Sequence, residues 1–329
     1  MPLSRIFLFL FLFVHFGLKS QSVVHQATFS ELTIFTMPTL HPLDWSNPSS
    51  LYQSMKDCYL KTITVPDNYL LGHIAVRLES PLLSEPLYIA QASASASERI
   101  DMVLKQKVGF GILGAALKGR LEKSDELKLK LNVYAKRNKL AFIKFQISNR
   151  AAQRILDFIH QYETKTNGKY ASCDFYGGAF WPRFVNEGAG CSAFGIALLD
   201  LVRILPPESK EWKVDVKIPM DIIGGEFNKN KKIKNRTIKN TKNWFNTEGI
   251  NNKDYVNYFV YEPSIIYDWI LKKNKFPDDK FIPVVEKGIP GLLVDRISSP
   301  LNDEEPLFIQ RTDTNLFITN FRKKVEAMN

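Results

Sequence analysis

The chain has 329 residues, 44 Lys+Arg against 34 Asp+Glu, a formal net charge of +10, and 45% hydrophobic residues. That composition excludes wholesale disorder, and the length suits one large or two modest domains with a substantial core. Three cysteines and no Cys-x-x-Cys pair exclude a disulfide-dense scaffold and a zinc knuckle, so no cofactor or metal site is expected.

The positive charge is concentrated. Lys229, Lys231, Lys232, Lys234, Arg236, Lys239 and Lys242 fall between Asn228 and Thr247 with no acidic residue among them, and without this window the net charge would be +3. The window is rich in Asn and poor in large apolar residues, which reads as a solvated loop. Such a loop can meet a polyanion, but a charge confined to one loop gives no reason to expect a nucleic-acid partner.

In chain order, Met1–Ser22 reads as a secretory signal peptide. Arg5 supplies the positive end, Ile6–Leu18 an apolar run too short to span a bilayer, and Lys19–Ser22 a small, polar cleavage region. No cysteine follows it, which excludes a bacterial lipoprotein anchor; an uncleaved anchor is the alternative reading. The expected product is exported, periplasmic or secreted, and keeps no stable membrane span. Export permits disulfides, and Cys58 with Cys173 is one conceivable pair. The plainer expectation is three unpaired, partly buried cysteines that act as small hydrophobes.

From Gln26 to Leu60, Pro38, Pro42 and Pro48 argue for irregular chain. His73–Glu79 alternates as a strand, and Pro86–Ala92 returns after a turn at Pro81–Glu85. Glu126–Leu131, Glu-Leu-Lys-Leu-Lys-Leu, has a strict period of two and predicts another strand, paired through a hairpin near Arg137-Asn138 with Lys139–Ile147. Ser148 or Asn149 caps a helix to about Glu163, with Ala152, Ile155, Leu156 and Ile159 at helical spacing. A Gly- and aromatic-rich loop, Tyr170–Gly190, then leads to a helix from Cys191 to Leu205. Farther on, a helix is expected near Pro263–Lys273 and strands near Phe281–Val285 and Gly291–Ile297. The composition shift after Glu208 suggests a catalytic-looking domain, 23–208, followed by a C-terminal extension, 209–329, that carries the basic loop 228–247.

Two local patterns carry chemistry. Gly72-His73 opens a strand, and Gly188-Ala189-Gly190-Cys191 places a thiol at the mouth of an apolar helix. Exposed N–H groups and the helix dipole favour a thiolate there, and the small residues let a substrate approach the backbone. The Cys191 N–H could bind an oxyanion, and an imidazole nearby could act as general base. Each motif alone is more often structural than catalytic; their order and element context together favour catalysis. His160, mid-helix, reads as structural, and His25 and His41, in irregular sequence, are only weak metal candidates. The aromatic residues Tyr170, Phe175, Tyr176, Phe180 and Trp181 read as loop packing that could also wall a cleft. Asn235-Arg236-Thr237 is a glycosylation sequon, meaningful only in a eukaryotic secretory route.

His73 precedes Cys191 by 118 residues, the reverse of the ordinary papain-like order. A strand-borne Gly-His, several strands, a helix and then a Gly-x-Gly-Cys helix resemble the circularly permuted papain-like hydrolases. That group is related to the NlpC-type cell-wall peptidases and includes the YiiX-like amidases and the lecithin:retinol acyltransferase group. The resemblance covers roughly residues 60–205. It implies an α+β permuted papain-like fold, with an antiparallel sheet packed against helices, and amide or ester hydrolysis through a thioester. A third polar residue should orient the imidazole from the neighbouring strand. A hairpin turning near Leu82–Leu83 would set His73 opposite Ala92–Ser93, making Gln91 the nearest candidate. Glu79 lies about 20 Å along the same strand.

The expectation is therefore an exported cysteine hydrolase with Cys191 as nucleophile, His73 as base and Gln91 as orienting group. Its substrate would be a cell-wall peptide, an amide or a lipid. The alternative is a non-enzymatic exported binding protein that keeps the fold.

Overall fold

The computed structural model describes residues 29–64, 69, 71–166, 168–313 and 315–326. The expected signal segment, Met1–Ser22, and His25 lie outside the described residues. The elements in chain order are β1 (Ser30–Met37), α1 (Pro48–Thr64), β2 (His73–Glu79), β3 (Leu87–Ser93), α2 (Ala96–Ile100), β4 (Leu117–Lys123), α3 (Ser124–Lys136), β5 (Ala141–Ile147) and α4 (Asn149–Tyr162). They continue with β6 (Phe175–Tyr176), α5 (Cys191–Leu201), β7 (Lys213–Pro219), α6 (Asn235–Asn240), β8 (Tyr255–Tyr261), α7 (Pro263–Lys275), β9 (Ile282–Glu286), β10 (Ile289–Arg296) and α8 (Leu316–Glu326). α2 runs on into one wide turn of π-helix, Asp101–Gln106.

The fold is α+β. Eight strands form one sheet in the order β6-β4-β3-β2-β1-β5-β10-β9, antiparallel except where β10 runs parallel to β5. β7 and β8 form a separate antiparallel pair. α4, α5 and α7 bury their apolar faces on one side of the sheet with Leu32, Ile34, Ile74, Val76 and Phe145. α3 covers the other side, where Leu127, Leu131 and Tyr134 meet Phe35, Ala75, Ala90 and Phe142. Among the described residues, no helix is long and apolar enough to cross a membrane.

Several expectations change here. Gln26–Leu60 is not irregular throughout: β1 lies at the centre of the sheet between β2 and β5. Both of its faces are covered: Leu32 and Ile34 pack on one side and Phe35 and Met37 on the other, and Thr33 and Thr36 between them are fully buried, so no wet face marks the strand. Pro48 does not oppose α1 but begins it, where its missing N–H costs nothing, and the Asn47 Oδ1 accepts from the Ser50 N–H at 2.9 Å.

Glu126–Leu131 is helix, not strand. Leu127, Leu131 and Tyr134 form the buried stripe at i, i+4 and i+7, while Leu129 is 69% exposed. The expected hairpin at Arg137-Asn138 is the helix's C-terminal turn, with Asn138 at φ 52° and the Lys139 N–H on the Tyr134 carbonyl. Residues beyond 208 are not set apart as an extension, because β10 is hydrogen-bonded to β5 within the main sheet. The basic window contains α6 and buries Ile233 and Ile238, while all seven of its cations stay exposed.

Candidate active site

His73 is the first residue of β2 and Cys191 the first of α5. Gly72 makes the turn into β2 at φ +72°, and a Cβ there would stand 2.8 Å from the Met37 carbonyl oxygen, so glycine is required. α5 approaches β2 closely because of Gly195, one turn beyond Cys191. A Cβ on Gly195 would lie 2.6 Å from the Ile74 Cγ2, next in sequence to His73. This close packing sets the thiol beside the imidazole, close enough for each to shift the other's charge.

Glu122 of β4 holds the far side of the imidazole. Its Oε2 is 2.9 Å from His73 Nε2, an ion pair whose N–H points off the carboxylate axis. With Nε2 so engaged, Nδ1 is the nitrogen left to serve the thiol. Tyr69 stacks on the imidazole with ring centroids 3.7 Å apart, and its hydroxyl donates to Glu122 Oε2 at 2.8 Å. The Lys130 ammonium of α3 donates to Glu122 Oε1 at 3.0 Å.

Strand register explains why Glu122 and not Gln91 fills this role. Val76 pairs with Ile89 and Ala90 with Glu122, so side-chain alternation sets His73, Ala90, Ala92 and Glu122 on one face. Gln91 falls on the other face. Its amide donates to the carbonyl oxygens of Cys173 at 2.8 Å and Phe175 at 3.3 Å, away from the imidazole. The expected position was therefore one residue out of phase and one strand short. The alanines of β3 leave room for the Glu122 side chain to reach across that strand.

The electrostatics follow from these contacts. Burial opposes a charge on His73, but Cys191 and Glu122 prevail and raise its pKa from 6.5 to about 9. Burial likewise opposes the Cys191 thiolate, but His73, the Ile74 N–H and the Ser192 hydroxyl outweigh it and lower the thiol below its ordinary value. Glu122 is 1% exposed, yet His73 and Lys130 overcome its desolvation and hold it well below the usual carboxylate range. The other two thiols behave oppositely: burial raises Cys58, and burial with Asp174 pushes Cys173 up to about 11.

The loop before Cys191 is anchored by Glu187, whose oxygens each receive a 2.8 Å hydrogen bond from Arg311. Gly188 then passes so close to Phe175 that a Cβ would meet its carbonyl oxygen at 1.9 Å. This places Tyr176 at the site, where it lines the same cavity as Cys191. Cys191, His73, Glu122, Tyr176 and Tyr258 open on a cavity of about 600 Å³. Its walls include Met55, Phe110, Ile112, Leu113 and Val260. No cluster of metal-ligating side chains occurs among the described residues. No family model matches the chain, nor does any curated protein or solved structure.

Proposed function

We propose that this chain is an exported cysteine hydrolase of the permuted papain-like type, acting on an amide or ester through a thioester on Cys191. The observation that carries the proposal is the placing of Cys191 beside His73, itself 2.9 Å from Glu122, in the lining of a largely apolar cavity. The thiolate attacks the substrate carbonyl, and the N–H groups that α5 leaves unpaired at Cys191 and Ser192 receive the oxyanion. His73, as imidazolium, gives its proton to the leaving amine or alcohol as the carbon–heteroatom bond breaks. Neutral His73 then takes a proton from water, which attacks the thioester and releases the acid and the thiolate. Glu122 keeps Nδ1 directed at sulfur throughout and stabilises the imidazolium. The apolar walls suit a substrate with an apolar acyl portion.

Labelling with iodoacetamide followed by peptide mass mapping tests this, together with turnover of a p-nitrophenyl acyl ester. Cys191 should be modified far faster than Cys58 or Cys173, and Cys191→Ala should lose both fast labelling and turnover. Equal labelling of the three thiols, or turnover that persists in Cys191→Ala, would refute the proposal.

A further inference from the structure

The cavity mouth carries an unusual rim. The end of α1 exposes Tyr59 at 39% and Leu60 at 51%, and the α2 region exposes Ile100 at 37%, Val103 at 41% and Leu104 at 63%. Tyr59, Ile100, Val103 and Leu104 also line the cavity, so apolar surface runs from its wall out to solvent. Burying such residues elsewhere would stabilise the chain; leaving a contiguous group exposed marks a contact surface.

The basic segment lies against both rim elements. The Ile233 N–H donates to the Lys107 carbonyl at the end of the π-helical turn. On the other side, Ser49 at the start of α1 donates from its backbone N–H to the Thr241 carbonyl and from its hydroxyl to the Lys239 carbonyl. Ile238 of α6 itself lines the cavity. Lys231 pairs with Asp221 at 3.8 Å, and Lys242 donates to the Ser49 hydroxyl. Lys229, Lys232, Lys234, Arg236 and Lys239 are exposed and, among the described residues, have no ion-pair partner. The acidic groups of the rim are already engaged: Asp57 with His41, Asp101 with Lys105, and Glu98 with the Lys118 N–H.

We infer that this face docks on an anionic lipid surface. Leu104, Val103, Ile100 and Tyr59 enter the headgroup boundary, and the cations of the basic segment meet lipid phosphates beside them. Apolar insertion and electrostatic attraction together are what holds an amphipathic surface at a bilayer interface without spanning it. Docking does not rest on the hydrolase reading. On that reading, it would open the cavity directly to an amphiphilic substrate.

Flotation with vesicles of phosphatidylcholine, with and without phosphatidylglycerol, tests the inference at low and high salt. Binding should require phosphatidylglycerol and weaken with salt. Lys232→Ser/Lys234→Ser/Arg236→Ser/Lys239→Ser should bind at least about tenfold more weakly, because each cation near such a surface contributes roughly fivefold. Leu104→Asp should also weaken binding about tenfold, since it replaces an inserted side chain by a repelled one. All these positions are exposed, so thermal melts should be unaltered. Cys191→Ala should bind like the wild type, which separates failure of docking from failure of the hydrolase proposal. No binding to anionic vesicles at low salt, or binding indifferent to both variants, would overturn the inference. So would salt-sensitive binding to duplex DNA with none to vesicles.

Discussion

Replacing Glu122 by Gln keeps the shape and removes the charge. A unit charge 2.9 Å from His73 Nε2 is worth about 6 kcal/mol at an effective dielectric constant of about 20, before the cost of burying both partners. The net effect is smaller: against its own burial, His73 rises from 6.5 to about 9, a lift of roughly 3 kcal/mol. Cys191 supplies a large share of that lift. Glu122 supplies the smaller share, so Glu122→Gln lowers the histidine by about one pH unit. The equilibrium between the neutral Cys–His pair and its ion pair then moves about tenfold toward the neutral form.

The assay is the pH dependence of Cys191 alkylation, read by peptide mass mapping. In the wild type, Cys191 should react from below the ordinary thiol range, as the thiolate of the ion pair, and should go on reacting as His73 loses its proton near pH 9, because that step leaves the thiolate in place. In Glu122→Gln, the neutral pair gains on the ion pair, so alkylation at neutral pH should slow by at least about fivefold and should recover as the pH rises through the ordinary thiol range. Gln91→Leu is the control. It removes the donor to the Cys173 and Phe175 carbonyls and should cost about 1–3 kcal/mol of stability while leaving the profile in place. An unchanged profile in Glu122→Gln, or an equal shift in Gln91→Leu, would refute the assignment of Glu122.

Gly195→Ala drives a methyl group into Ile74, so it should cost about 1–3 kcal/mol in thermal denaturation and slow Cys191 alkylation. Adding Ile74→Ala should restore the alkylation rate without restoring stability. Arg311→Met leaves Glu187, 1% exposed, without its bidentate partner and should destabilise the fold by about 3–5 kcal/mol in denaturant titrations. Glu187→Gln combined with Arg311→Met should recover part of that loss; strictly additive losses would refute a direct coupling.

The sequence exposed some layers of this molecule and hid others. β2, β5, α4 and α7 were legible because each carries one clear period and ordinary end signals. β1 was hidden by its central position: its apolar residues switch from one face, Leu32 and Ile34, to the other, Phe35 and Met37, so neither alternation runs long enough to mark a strand. In α3, Leu-Lys-Leu-Lys-Leu satisfies a period of two over a short window. Leu, Lys and Glu are nevertheless strong helix formers and none is β-branched, which was the signal to weigh. His73 and Cys191 could be named because each sits at the first residue of its element. Glu122 could not, because its approach depends on two strand registers, and a one-residue error in either turns the side chain to the opposite face. The role of Arg311 depends on a contact across 124 residues, which no local pattern contains.

The site can hold two buried negative groups only because the charges alternate outward from the sulfur. Cys191, 7% exposed, and Glu122, 1% exposed, would each be driven toward the neutral form by burial alone. One imidazolium between them compensates one charge and leaves a net negative interior. Lys130 offsets the remainder from a half-buried position, where its ammonium keeps part of its hydration while contacting Glu122 Oε1 at 3.0 Å. Arg120 adds a second positive charge 3.5 Å from the same oxygen and is itself held by Glu126 at 2.6 and 2.8 Å. The sequence of signs from sulfur to solvent is therefore negative, positive, negative, positive, negative. Lys130 and Glu126 stand four residues apart on α3, so the helix concealed by the Leu–Lys alternation belongs to the electrostatics of the thiol. A strand in its place would send successive side chains to opposite faces and would not stack an acid and a base one helical turn apart to close this series.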